Sequence, residues 1–198
     1  MKLNSDVDGT ITPPRRGRLL LVGALLAACA LVVVLGWQNR TLREAQRDLA
    51  ERAEYPYVGM FVPAVTARAI DGSTLTLGAP SDTQILYFFT PTCPYCQASI
   101  PAVTALAERA HGTELIGVGP GIGAGATDEL RDHARVSGFE FPVVELADDR
   151  ARALYRSRDV PLVLVVDRGG QVRYQHIGAL DSHHVDEILA AAAIPAQR

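Results

Sequence analysis

The stretch Thr90-Pro91-Thr92-Cys93-Pro94-Tyr95-Cys96 decides the reading of this sequence. Before it lies Ile85–Phe89, a continuous apolar run of the kind carried by a central strand buried on both faces. After it, residues 94–110 read as a helix. Pro94 suits the first helical position, where its missing N–H costs nothing. Cys93 then falls at the helix N-terminus, where unpaired N–H groups and the helix dipole favour an anion. Thiols so placed have lowered pKa values, and the thiolate is the reactive form. Cys96 lies one turn further on, within disulfide reach. The pair suits two-step exchange: Cys93 attacks a disulfide to give a mixed disulfide, and Cys96 resolves it. The reverse order oxidises a dithiol. This chemistry uses no cofactor beyond the two thiols.

Two plainer readings of the cysteines stand beside this one. A Cys-x-x-Cys could be half of a metal site, completed by His111, His133, His176, His183 or His184, but none of these has matching ligand spacing. A purely structural disulfide across so short a loop stabilises a fold little. A strand–Cys-x-x-Cys–helix order is a fairly specific redox signal, so no metal is expected here.

Working outward, Asp71-Gly72 sits between the β-prone runs Val65–Ile70 and Ser73–Leu77 and predicts a hairpin. Leu115–Val118 predicts a short buried strand. Gly119–Ala126 reads as a glycine-rich loop without the Lys-Ser/Thr ending of a phosphate cradle. A helix is expected over 127–137, a strand over Val143–Leu146, and a short helix over Asp149–Arg156 opened by Asp148-Asp149. Leu162–Val166 predicts a third buried strand. Gly169-Gly170 turns into Gln171–Ile177, and Ser182–Ala193 closes the chain as a helix with His183-His184 in its first turn. Strands alternating with helices, then a hairpin and a helix, indicate an α/β fold with a mixed central sheet flanked by helices.

The 198 residues are 48% hydrophobic and 21% charged, which excludes a disordered or collagen-like chain. Net charge is −3 and the 19 basic residues are scattered, so nucleic acid is not an expected partner. Three cysteines are too few for a disulfide-stapled mini-protein or a four-thiolate zinc site.

Leu19–Trp37 contains 19 residues without a charge. As a helix it spans roughly 28 Å, close to a bilayer's hydrocarbon thickness. Lys2, Arg15, Arg16 and Arg18 precede it. Arg40, Arg43 and Arg47 follow, interleaved with Glu44, Asp48 and Glu51. The more basic N-terminal flank favours the N-terminus inside and the rest outside. Leu26-Ala27-Ala28-Cys29 resembles a lipobox, yet eight apolar or small residues follow Cys29 where a lipoprotein would turn polar. Arg15-Arg16 could be a twin-arginine signal, but the residues after it fit that pattern poorly. An uncleaved single-pass anchor is the favoured reading. All three alternatives deliver the rest of the chain across the membrane or to its outer face. The organisation expected is a cytoplasmic tail (1–18, disordered), an anchor (19–37), a helical stalk (38–56) and a folded domain (57–198). Opposite charges at Arg40–Glu44, Arg47–Glu51 and Asp48–Arg52 support the stalk helix.

Cys93-Pro94-Tyr95-Cys96 and its preceding strand resemble a thioredoxin-fold active site. The wider pattern is similar to the membrane-anchored TlpA/ResA-like thiol–disulfide oxidoreductases, the redoxins. Gly59 and Pro63 match the approach to that domain, Phe88 to Cys93 the site's entry, and Pro101 the proline of the first helix. Val160-Pro161, Leu162–Asp167 and Gly169-Gly170 match the cis-proline loop, strand and turn. Phe89 to Cys93 also resembles the accessory proteins of methylamine dehydrogenase maturation. The likeness covers about residues 57–194. It implies a thioredoxin-like fold after one transmembrane helix, a cis bond at Pro161, and a Val160 backbone that meets substrate. Thr92, Pro94 and Tyr95 would shape the site, with Tyr95 exposed at its rim.

The departures from the family concern proton handling. Thr92 replaces the tryptophan before the first cysteine, and Tyr87 replaces a buried acid. Ser99 stands where ResA-like reductants have glutamate, and Leu162 stands where threonine is common. Tyr87 reads as a core residue rather than a substitute base. The direction of electron flow stays open. The resemblance implies a single-pass protein of a bacterial-type inner membrane with its redox domain on the periplasmic or extracytoplasmic side. Its partners would be cysteine-containing exported proteins and a membrane or extracytoplasmic redox partner. The alternative is a thiol-based metallochaperone for a soft ion such as Cu(I), against which the two methionines of the whole chain count.

Overall fold

The computed structural model describes residues 15–78, 82–110, 112–121 and 125–193. The chain divides into two units, Met1–Ala50 and Glu51–Arg198. The described part of the first is the helix α1 (Arg15–Glu54), whose last turn belongs to the second. It begins one turn before the apolar run, because arginines are good helix formers. The segment Arg15–Arg18, expected as part of a disordered tail, is therefore helical. Residues 1–14 of that tail lie outside the described residues. The apolar side chains from Leu19 to Trp37 are exposed. By length and composition α1 can cross a membrane, with mean hydropathy 2.9 in its apolar window. The helix continues unbroken into the predicted stalk as far as Glu54, two residues short of its expected end, and Arg40 and Glu44 approach to 3.9 Å within it. The pairs Arg47–Glu51 and Asp48–Arg52 rest on side chains outside those described.

The second unit carries one mixed sheet. In chain order it contains β1 (Val65–Ala69), β2 (Thr74–Leu77), β3 (Gln84–Phe88), α2 (Pro94–Arg109), β4 (Glu114–Pro120) and α3 (Ala126–Ser137). Then come β5 (Val143–Leu146), α4 (Asp149–Tyr155), β6 (Leu162–Val166), β7 (Val172–Ile177) and α5 (Ser182–Ala192). The strand order is β2-β1-β5-β4-β3-β6-β7. β3, β4 and β5 run parallel, joined by the crossover helices α2 and α3. The other pairings are antiparallel. The predicted hairpin forms with Val65 opposite Leu77, and Gly72 supplies the turn at φ +92°.

Burial follows the alternation of side chains along β3. Leu86 and Phe88 face a core with Val62, Leu77, Ile116, Tyr155 and Leu164. Ile85, Tyr87 and Phe89 face the other core, under α2, α3 and α5, with Val103, Leu106, Leu130 and Ile188. Each such aliphatic side chain contributes about 1.5–3 kcal/mol on full burial. Every residue of β3 and β6 is buried; the apolar runs Ile85–Phe88 and Leu162–Val166 imply this, and the polar Gln84 that opens β3 is buried with them.

The glycine-rich loop expected over Gly119–Ala126 is shorter than its composition suggests. Gly119 and Pro120 pair with Glu145 and Leu146 and belong to β4, while Ala126 opens α3. Residues 122–124 lie outside the described residues. A Cβ on Gly119 would come within 2.2 Å of Leu130, so the missing side chain lets α3 pack close on the strand. At the β6–β7 turn, Gly170 has φ +78° and would place a Cβ 2.7 Å from the carbonyl oxygen of Gly78. Only glycine fits both demands.

Candidate active site

The C-terminal end of β3, which lies between parallel β4 and antiparallel β6, feeds Thr90 and then Cys93 at the start of α2. Cys93 is the N-cap residue, extended at φ −77° and ψ 119°, with Pro94 in the first helical turn. Its Sγ accepts the Cys96 N–H at 3.3 Å, one of the N–H groups that an α-helix leaves unpaired at its start. The thiol also approaches the carbonyl oxygen of Val160 at 3.6 Å. Val160 precedes Pro161 across a cis peptide bond, as the resemblance implied. The Gly178 N–H donates to the carbonyl of Pro161 at 2.9 Å, so the start of β6 and the end of β7 are tied together beside the cysteines.

The two thiols, both free, differ in setting. Cys93 is half-buried and Cys96 is buried, 1% exposed. Burial pushes the Cys96 thiol up to about 12. The Cys93 thiol adds to this rise, and hydrogen bonds from the Thr90 backbone and the Tyr87 side chain oppose it. Tyr95, between the cysteines, is exposed at the rim, and Thr92 is exposed as well.

Tyr87 occupies the core, as expected. It stacks on Phe89 with ring centroids 5.4 Å apart, and its hydroxyl donates to the Cys96 carbonyl at 3.4 Å. Burial, and then the charges of Cys96 and Cys93, raise its pKa above the ordinary phenol value. It stays a neutral donor and supplies no base. Ser99 has a role that its sequence neighbourhood did not signal. Fully buried, its hydroxyl donates to the Tyr95 carbonyl at 2.7 Å and accepts the Leu180 N–H at 2.9 Å. It thereby ties the first turn of α2 to the loop that enters α5. Ser99→Ala leaves the Leu180 N–H without that acceptor and costs about 1–3 kcal/mol in chemical unfolding. An unchanged unfolding midpoint and slope would contradict the assignment.

The histidines do not gather at the cysteines. His133 stacks on Phe89 at 5.3 Å, and burial lowers its pKa. His184 completes a capping box with Asp181 at the start of α5, and His183 lies 3.4 Å from Glu187. His176 packs against His184, ring centroids 3.8 Å apart. Among the described residues, no group of three or more His, Cys, Asp or Glu is arranged to hold a metal. His111 lies outside them. Asp148 caps α4 by accepting the Arg150 N–H at 2.8 Å, the helix-opening role expected of it.

A cavity of about 170 Å³ opens beside the site, at the C-terminal ends of β3, β4 and β5. Its lining includes Phe88, Val118, Leu146 and Val160, with Arg152 and Arg158 contributed by α4 and the loop after it. The convergence of Arg152 and Arg158 on the cavity that Val160 also lines was not legible in the sequence, which shows them only as scattered charges.

Comparison with known proteins agrees with this geometry. The Redoxin family profile matches residues 57–192. Methylamine utilization protein MauD of Methylobacillus flagellatus is 28% identical over 160 residues, covering 78% of this chain and 75% of its own length. StoA from Bacillus subtilis superposes with a TM-score of 0.56 at 17% identity, over 64% of this chain and 96% of that one. A secreted Mycobacterium tuberculosis disulfide oxidoreductase homologous to E. coli DsbE gives 0.56 at 18% identity, over 64% and 95% of the two chains. These two superpositions speak to the fold, which is thioredoxin-like. The family profile spans the strand, the cysteine turn, the cis-proline loop and the closing helix, so the chain belongs to the Redoxin family and is an oxidoreductase.

Proposed function

We propose that the chain is a membrane-anchored thiol–disulfide oxidoreductase that exchanges disulfides with exported proteins. The observation that carries this reading is the asymmetry of the cysteine pair: Cys93 is reachable at a helix N-terminus, and Cys96 is buried with its thiol pushed up to about 12. In the reducing direction, the Cys93 thiolate attacks one sulfur of a substrate disulfide. The Cys93–substrate S–S bond forms, the substrate S–S bond breaks, and the released substrate thiolate takes up a proton. Cys96, deprotonated as it attacks Cys93 Sγ, then forms the internal disulfide and frees the second substrate thiol. Two electrons pass from the protein to the substrate, and the steps run backwards when a substrate dithiol is oxidised. Thr92, Pro94 and Tyr95 frame the reacting sulfur, and the Val160–Pro161 backbone supports an extended substrate segment.

The organisation that accompanies this reading places the tail before Leu19 inside and Leu19–Trp37 across the membrane. Residues 38–56 form a linker, and the redox domain from residue 57 stands outside. Lys2, Arg15, Arg16 and Arg18 ahead of the span support that orientation. A membrane-impermeant maleimide tests it in intact cells carrying Cys29→Ser, which removes the remaining cysteine. Labelling of Cys93 without permeabilisation is expected. Labelling only after permeabilisation would place the domain inside and exclude exported substrates.

A further inference from the structure

The cavity beside Cys93 has a composition that disulfide exchange by itself does not require. Its volume of about 170 Å³ suffices for one medium-sized apolar side chain, since an apolar cavity of about 150 Å³ takes up benzene. Phe88, Val118 and Leu146 are buried residues that give it apolar walls. Val160 belongs both to the cavity lining and to the surroundings of the reacting thiol, through the 3.6 Å approach of its carbonyl to Cys93 Sγ. A segment whose cysteine meets Cys93 can therefore place a neighbouring side chain in the cavity.

The polar part of the lining is cationic. Arg152 is half-buried and lies 3.4 Å from Asp149, whose side chain is 87% exposed. Such a solvent-facing contact holds a guanidinium weakly. Arg158 is exposed on the loop that leads to Val160. Asp159, the acidic residue of the same loop, is exposed, and both it and Arg158 act on the Tyr55 hydroxyl. A guanidinium stays charged at any working pH and presents forked donors that match a carboxylate. Two of them beside an apolar hole complement an apolar side chain next to an acid.

We propose that this cavity is a recognition subsite for the protein segment that carries the target cysteine. It takes an apolar side chain close to that cysteine, and Arg152 and Arg158 select an acidic residue beside it. The inference rests on the thiol–disulfide reading and deepens it by naming the sequence character of the substrate.

The test uses the reduced full chain in detergent and three synthetic peptide disulfides. One has Leu-Asp after the cysteine, one Leu-Lys and one Gly-Asp. In each reaction the Cys93 thiolate displaces a peptide thiol and Cys96 closes the protein disulfide, so one peptide disulfide becomes two thiols as the protein is oxidised. The readout is the ratio of rates within one preparation, which a general loss of activity does not move. The Leu-Asp peptide is expected to react about three- to tenfold faster than Leu-Lys, as one or two partly exposed ion pairs allow. It is also expected to outrun Gly-Asp. The charge preference should fall toward unity in Arg152→Gln/Arg158→Gln and fade in high salt. No charge preference in the unsubstituted chain, or one that persists in the double variant, overturns the subsite. Failure of the unsubstituted chain to reduce even uncharged hydroxyethyl disulfide is a different result: it removes the thiol–disulfide reading, and the subsite with it.

Discussion

Replacing Cys93 with serine abolishes disulfide exchange, whereas replacing Cys96 with serine leaves the first attack intact and stalls the reaction at a mixed disulfide. The two thiols are three residues apart yet stand in different surroundings. Cys93 caps α2 and accepts a helix N–H, while Cys96 is buried beneath it. Loss of the attacking sulfur should lower turnover roughly a thousandfold or more, as removal of a covalent nucleophile does. Intact mass measurement should find Cys96→Ser carrying one substrate molecule through Cys93. Accumulation of the adduct on Cys96 in the Cys93→Ser variant would reverse the roles. The pH dependence has a definite sign. The folded Cys96 value of about 12 lies above its ordinary 9.0, so the folded reduced protein holds this proton more tightly than the unfolded chain. The resulting stability is fully present below pH 9 and is lost as pH rises toward 12. Cys96→Ser should lack that loss when the two reduced proteins are compared by denaturant unfolding.

Asp167→Ala is expected to be among the most damaging substitutions away from the cysteines, costing about 2–4 kcal/mol. Asp167 is buried at the β6–β7 turn, where its carboxylate accepts the N–H groups of Gly169 at 2.8 Å and Gln171 at 3.0 Å. It also meets the Arg173 guanidinium at 2.6 Å, with Arg173 itself only 18% exposed. Alanine leaves that cation and both N–H groups without their partner. The midpoint of thermal unfolding should fall by roughly 6–15 °C, with Asp167→Asn intermediate because it keeps an acceptor. Burial works to raise this carboxyl's pKa. The hydrogen bonds from Gln171, Arg173 and Gly169 and the Arg173 charge outweigh it and hold the value below 3.8. A depressed carboxylate stabilises at all pH values above its unfolded pKa and loses that contribution as pH falls through the folded one. The gap between unsubstituted and Asp167→Ala protein should therefore narrow below pH 3.8. A gap independent of pH would show that the ion pair is not its source.

What the sequence made legible follows from how local each signal is. β3, β6 and the opening of α2 could be read because an unbroken apolar run, and a proline after a cysteine, each state their own environment. The Asp71-Gly72 hairpin was readable because turn chemistry is set by two adjacent residues. Gly119 and Pro120 were misread as loop, since neither looks like a strand residue. Their place in β4 depends on pairing with β5 and on Leu130 packing against the missing side chain. Ser99 looks like any helix-surface serine until Leu180, far along the chain, brings its N–H to the hydroxyl. Arg152 and Arg158 come to the cavity beside Val160 only because α4 and the loop before Pro161 meet the C-terminal ends of β3, β4 and β5. In each of these cases the deciding partner is distant in sequence.

The proposed function requires Cys93 and Cys96 to form one reversible two-electron couple. The direct measurement equilibrates the full chain in detergent with glutathione and dithiothreitol buffers and counts free thiols after acid quenching and alkylation. A single two-electron transition is expected, lost in both Cys93→Ser and Cys96→Ser, with a potential between about −270 and −120 mV, the span from thioredoxin to strongly oxidising thiol–disulfide proteins. A value near the lower end would identify a reductant fed with electrons from elsewhere, and a value near the upper end a donor of disulfides. Two thiols that remain free across the whole buffer range would exclude a thiol–disulfide oxidoreductase.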